Sequence, residues 1–158
     1  MKFAILITVL FLSGNVFSRS LDSISSCDNR FIISYQDDYK IMFKSKQKLS
    51  KMYLGHDLNG GAIDPVTSMF VVYGLPRNVS LDNPQLMTVS IYKSLSQPRI
   101  VKKINLGGGI YAEFFSKDHR FIVINTRFGD MIVDIRTKKM TELPLGESAK
   151  MELIECRD

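Results

Sequence analysis

The sequence predicts an all-β domain: a small, incomplete β-propeller-like array of two to three antiparallel meander blades, with a distorted β-sandwich as the alternative. Three observations predict it. Apolar runs are short and rich in β-branched and aromatic residues, as in Phe121-Ile122-Val123-Ile124 and Met131-Ile132-Val133. No segment carries an apolar stripe at helical spacing over three turns. Residues 107–145 also have an imperfect copy in residues 60–106, the two glycine pairs Gly60-Gly61 and Gly108-Gly109 standing about 48 residues apart, a propeller-like repeat length.

The elements follow in order. Lys2, an apolar run from Phe3 to Leu12 and the small residues around Val16-Phe17-Ser18 read as a secretory signal peptide over residues 1–18. That run is too short to serve as a permanent bilayer anchor, so residues 19–158 are expected to form a single exported β domain. Its first unit is expected over residues 30–36, 39–44 and 51–54, with a final strand at 152–156 returning to complete that blade. The second unit takes residues 60–65, 69–74, 86–93 and 99–105, interrupted by the long insertion 75–85. In the third unit, strands at 111–115, 121–125, 130–136 and 141–143 are separated by the turns Ser116-Lys117-Asp118-His119, Arg127-Phe128-Gly129-Asp130 and Arg136-Thr137-Lys138-Lys139.

The chain has two cysteines, Cys27 and Cys156, near the two ends of the exported part. In an oxidising compartment an even pair reads as a disulfide. Chain-entropy models give a loop of this length about 4–5 kcal/mol. A lipid on Cys27, after the loose signal Ile24-Ser25-Ser26, is the competing reading. Arg19 and Asp22 stand against it, and it would leave Cys156 unpaired.

Formal net charge is +5. The lysines and arginines gather at 44–51, 99–103 and 136–139, in or beside turns, so they read as solvated edges. No aromatic platform is interleaved with them, which argues against nucleic acid as a partner.

Catalytic chemistry finds few candidates. His56 and Asp57 lie in the glycine-rich stretch 55–61 with Gly60, where a ligand could sit, but no nucleophile accompanies them. His119 reads as an exposed turn residue. Metal ligation needs three or four convergent ligands, and Gly107-Gly108-Gly109 precedes no helix that would bind an anion. The chain therefore reads as a non-enzyme with no cofactor and no metal. Exposed loops remain: Leu75, Arg77, Val79 and Leu81 in the insertion, and Thr126, Arg127, Phe128, Gly129 and Asp130 in the third unit's hairpin. Equivalent loops of stacked blades emerge on one side, so the two are expected to share a partner-binding face. An aromatic and an arginine at the hairpin tip have the character of an interface anchor.

Gly108-Gly109-Ile110, Phe115-Ser116-Lys117-Asp118 ahead of Phe121-Ile122-Val123, and Asp130-Met131-Ile132-Val133-Asp134 resemble the periplasmic immunity proteins that protect bacteria from type VI secretion amidase effectors. The resemblance implies a small β-rich inhibitor that binds a cognate peptidoglycan amidase and places a loop in its catalytic cleft, here residues 126–130. The family uses a serine hydroxyl in that loop. This chain has none there, so Thr126 or Asp130 would have to substitute. A non-inhibitory envelope module that binds another protein is the alternative function. In neither reading does the chain insert stably into a membrane.

Overall fold

The computed structural model describes residues 22–45, 48–78 and 86–156. They form an all-β fold of three four-stranded antiparallel meanders. Blade 1 is β1 (Ser23–Ser25), β2 (Phe31–Tyr35), β3 (Lys40–Ser45) and β4 (Lys48–Tyr53). Blade 2 is β5 (Gly60–Asp64), β6 (Met69–Gly74), β7 (Met87–Lys93) and β8 (Arg99–Leu106). Blade 3 is β9 (Ile110–Phe115), β10 (Phe121–Thr126), β11 (Gly129–Asp134) and β12 (Met140–Leu143). The signal peptide expected over residues 1–18 lies outside the described residues, as do Val79 and Leu81.

Blade 2 is the middle of the stack, and β6 shows why. Successive side chains of a strand point to opposite faces. Phe70 and Val72 therefore pack with Ile33, Ile41 and Phe43 of blade 1, while Met69, Val71 and Tyr73 pack with Ile122, Ile124, Met131 and Val133 of blade 3. A strand covered on both faces needs an unbroken apolar run, and Met69-Phe70-Val71-Val72-Tyr73 supplies one. An aromatic ladder crosses the first interface, with centroid separations of 6.0 Å for Phe31–Phe43, 5.9 Å for Phe43–Phe70 and 4.8 Å for Phe70–Tyr92. These lie within the range of favourable ring pairs. The first strands β1, β5 and β9 pack side by side at a common axis, with β5 in the middle. This gives the propeller-like arrangement, and it contains three blades.

One strand, β1, was not among the expected ones, whereas β5 takes the place expected of residues 60–65 at the start of the second unit. β1 offers only one inward side chain, Ile24. Its signal was a repeat: Ser26-Cys27-Asp28-Asn29-Arg30-Phe31 and Ser116-Lys117-Asp118-His119-Arg120-Phe121 are the same turn in blades 1 and 3. In each, the serine hydroxyl donates to the aspartate, at 2.6 Å and 2.5 Å, and accepts the phenylalanine N–H. Each turn also places its fourth residue, Asn29 or His119, in the left-handed region.

The expected final strand at 152–156 is a correction. Because β1 already fills the inner position of blade 1, the tail instead follows the end of β9: Leu153 bridges Ser116, Lys117 N–H donates to Glu152 and Ile154 N–H donates to Phe115. On the way it covers the outward face of blade 3, where Gly146 N–H and Ser148 N–H donate to Asp130. Cys156 then bonds to Cys27 in the β1–β2 turn, so the expected pairing of the two chain ends is achieved by the disulfide rather than by a sheet. With its sulfur in that bridge, Cys27 is not available for lipidation. A disulfide fits an oxidising compartment. Among the described residues no helix is long and apolar enough to cross a membrane.

Candidate functional site

The hairpin between β10 and β11 is built tightly. Thr126 pairs with Gly129, leaving Arg127 and Phe128 as the tip. The Thr126 hydroxyl donates to the Gly129 carbonyl at 2.8 Å and accepts the Phe128 N–H at 3.2 Å. Gly129 stands at φ 148°, and a Cβ there would lie 2.6 Å from the Leu143 carbonyl of β12, so only glycine fits. The tip is thus held by its own hydroxyl, by close backbone packing and by its two strands.

Phe128 is 76% exposed. Its ring nevertheless rests over the β8–β9 linker at Gly108, where an added Cβ would meet the ring at 2.3 Å and where φ is +82°. The ring is therefore fixed on one side and open on the other. Tyr111, the extra residue of a β-bulge opposite Asn125 and Thr126, and Leu145 are also exposed beside this hairpin. Leu106, Gly107, Glu142, Leu143 and Pro144 complete a groove of about 380 Å³ against Phe128. None of these flanking residues was read from the sequence as part of a partner-binding face. They come from a linker, a bulge and a strand exit, whose meeting depends on the blade-to-blade packing.

The candidate residues divide by burial. Arg127 and Phe128 face solvent, whereas Thr126, Gly129 and Asp130 are buried. Asp130 accepts hydrogen bonds from Asn125 Nδ2 at 2.7 Å, Ser148 N–H at 3.0 Å and Gly146 N–H at 3.1 Å. Burial opposes its ionisation, but the bonds from Ser148, Asn125 and Gly146 outweigh that and hold its pKa below the usual carboxylate value. Thr126 and Asp130 therefore hold the tip in place, and neither presents its polar atoms to a partner as the missing serine's substitute would.

The insertion loop leaves blade 2 at the same end: Met87 pairs with Leu106, just before the linker on which the Phe128 ring rests. Its described part turns the other way. Pro76 bridges His56, and Arg77 reaches the Tyr53 hydroxyl and lies over the Tyr39 ring, against blade 1. Leu75 and Arg77 thus share an end of the array with the hairpin, but they lie on the opposite side of blade 2 from it.

Both histidines are corrected. His56 is fully buried: its Nδ1 lies 2.6 Å from the Asp57 carbonyl and its Nε2 2.9 Å from the Ser90 hydroxyl. Burial lowers its pKa, so it is a neutral ring donating to the carbonyl and accepting from Ser90, closed to any ligand. His119 occupies its turn as expected, yet its ring docks on Asp64 of blade 2 at 3.0 Å instead of standing in solvent.

No family model and no curated protein matches the chain. Among solved structures it is similar to a structural genomics protein of unknown function from Bacteroides thetaiotaomicron, at 16% identity and a TM-score of 0.52. The match covers 87% of this chain and 35% of that one, so this chain spans about a third of the other's length. The likeness concerns the fold.

Proposed function

We propose that the chain is a binding protein of an oxidising envelope compartment. In its most concrete form it is a periplasmic immunity protein whose Arg127-Phe128 tip enters and occludes the active site of a cognate cell-wall-degrading effector, a peptidoglycan amidase. The observation that carries the reading is the tip itself: an aromatic ring 76% exposed on a hairpin fixed by the Thr126 hydroxyl and the Gly129 approach. With Tyr111 and Leu145 exposed beside it, the ring is part of an apolar patch of the kind that marks an interaction surface. A loop already ordered loses little entropy on binding. The flanking groove gives the partner's own side chains a place to seat, as a hot-spot anchor requires.

The test is protection. Bacteria that export a type VI amidase to their own periplasm lyse. An amidase gene is expected beside this chain's own; co-export of the chain with that gene's product should prevent lysis, and the Phe128→Ala variant should fail at equal periplasmic abundance. Binding to an envelope protein without protection against any such amidase would replace this reading with the non-inhibitory one.

A further inference from the structure

A second cavity, of about 500 Å³, lies at the axis where β1, β5 and β9 meet, roofed by the disulfide and residues 154–156. That volume suits a small-molecule ligand. Ala62, Ile63, Pro65, Phe114, Phe115 and Ile154 give it apolar walls. Its charge runs against that of the chain. Lysines and arginines outnumber the acids 21 to 16 overall, yet among the described residues the lining holds Asp28, Asp64, Glu113 and Glu155 and neither lysine nor arginine.

Two of these carboxylates are already matched. Asp28 pairs with Arg30 and Ser26, and Asp64 takes the Thr67 hydroxyl and the His119 ring. Glu113 differs. It is largely buried between β5 and β9 and takes a backbone hydrogen bond from Gly61, and among the described residues no lysine or arginine lines the cavity beside it. A carboxylate offers about four acceptor positions, and removing it from water is costly unless a positive group compensates.

We propose that this cavity binds a small amphipathic organic cation, a primary ammonium group on an apolar body, with the Glu113 carboxylate as its counter-ion. The ammonium donates to Glu113 while the apolar body lies along Phe114, Phe115 and Ile154. The site is separate from the Phe128 tip, so the two can fail independently.

Burial pushes the Glu113 pKa up to about 7, so binding should strengthen as the carboxyl ionises. The other titratable groups near it are Tyr73 of β6, and Asp28, Asp64 with His119, and Glu155 around the cavity. Hexylammonium, 1-hexanol and hexanoate, titrated into the disulfide-bonded chain with amide chemical shifts as readout, test the proposal. At about pH 8, hexylammonium should bind at least about tenfold tighter than 1-hexanol, shifting Gly61, Ala62 and Glu113, and hexanoate should bind weakest; at about pH 5.5 the preference should shrink. Glu113→Gln should abolish the preference and leave hexanol binding and the Phe128→Ala phenotype unchanged. Equal affinities for the ammonium and the alcohol in the wild-type chain, shifts confined to another surface, or a preference retained in Glu113→Gln would each overturn the proposal. The wild-type comparison decides it even if the variant does not fold.

Discussion

Phe128 holds its ring open to solvent, while Asp130, two residues on, spends its carboxylate on Asn125, Gly146 and Ser148. Truncating the two should separate binding from stability. Phe128→Ala is expected to leave unfolding by urea within about 0.5 kcal/mol of wild type, as for an exposed site, while removing partner binding. Asp130→Ala should cost about 1–3 kcal/mol, because the buried N–H groups of Gly146 and Ser148 lose their acceptor. The sequence placed the tip by its turn residues, and it named Arg127 and Phe128 correctly as side chains at a hairpin end. It could not show that Asp130 is covered, because the covering N–H groups belong to Gly146 and Ser148, in a single short turn after β12 whose residues carry no sign of where it packs.

At the scale of strands, the blade interfaces hold the array together, and β6 takes part in both. Phe70 is fully buried in the aromatic ladder, so Phe70→Ala should cost about 3–5 kcal/mol in chemical denaturation and loosen blades 1 and 2 together. Buried titratable groups add a pH dependence. Glu113 has its folded pKa raised from 4.5 to about 7, so its penalty is absent below about pH 4.5 and complete above about pH 7. Glu113→Gln is thus expected to raise thermal stability at pH 8, on the order of 1–3 kcal/mol, and to leave it unchanged at pH 4. His56 acts at the other end: its lowered pKa makes stability fall as pH drops below 6.5, where the unfolded chain takes up the proton first. Strands with long apolar runs were legible because burial on both faces writes itself into composition. β1 was not: Ser23-Ile24-Ser25 has one inward side chain and no apolar run. β5 was legible through its glycine pair, which the close approach of neighbours requires: a Cβ on Gly61 would lie 2.5 Å from the Val71 carbonyl oxygen and 2.6 Å from Ile24 Cδ1.

Across the whole molecule, the Cys27–Cys156 bridge joins blade 1 to the tail that caps blade 3, and so closes the axial cavity. Replacing both cysteines by serine should cost about 2–5 kcal/mol and weaken hexylammonium binding, while the Phe128 tip, held by blade 3 and the β8–β9 linker, keeps its partner. The pairing was legible from two cysteines near the chain ends. What the tail does there was not, since it bonds to a β9 turn and a blade face instead of adding a strand. The proposed binding function is tested most directly with purified components: peptide release from peptidoglycan by the amidase expected as cognate partner, measured against increasing amounts of the chain. One equivalent of wild-type protein should stop the reaction, and Phe128→Ala, equally stable, should need at least about a hundredfold more, the loss expected of a hot-spot aromatic. Full inhibition by Phe128→Ala at one equivalent, or none by the wild type, would contradict the placement of the inhibitory contact at this hairpin.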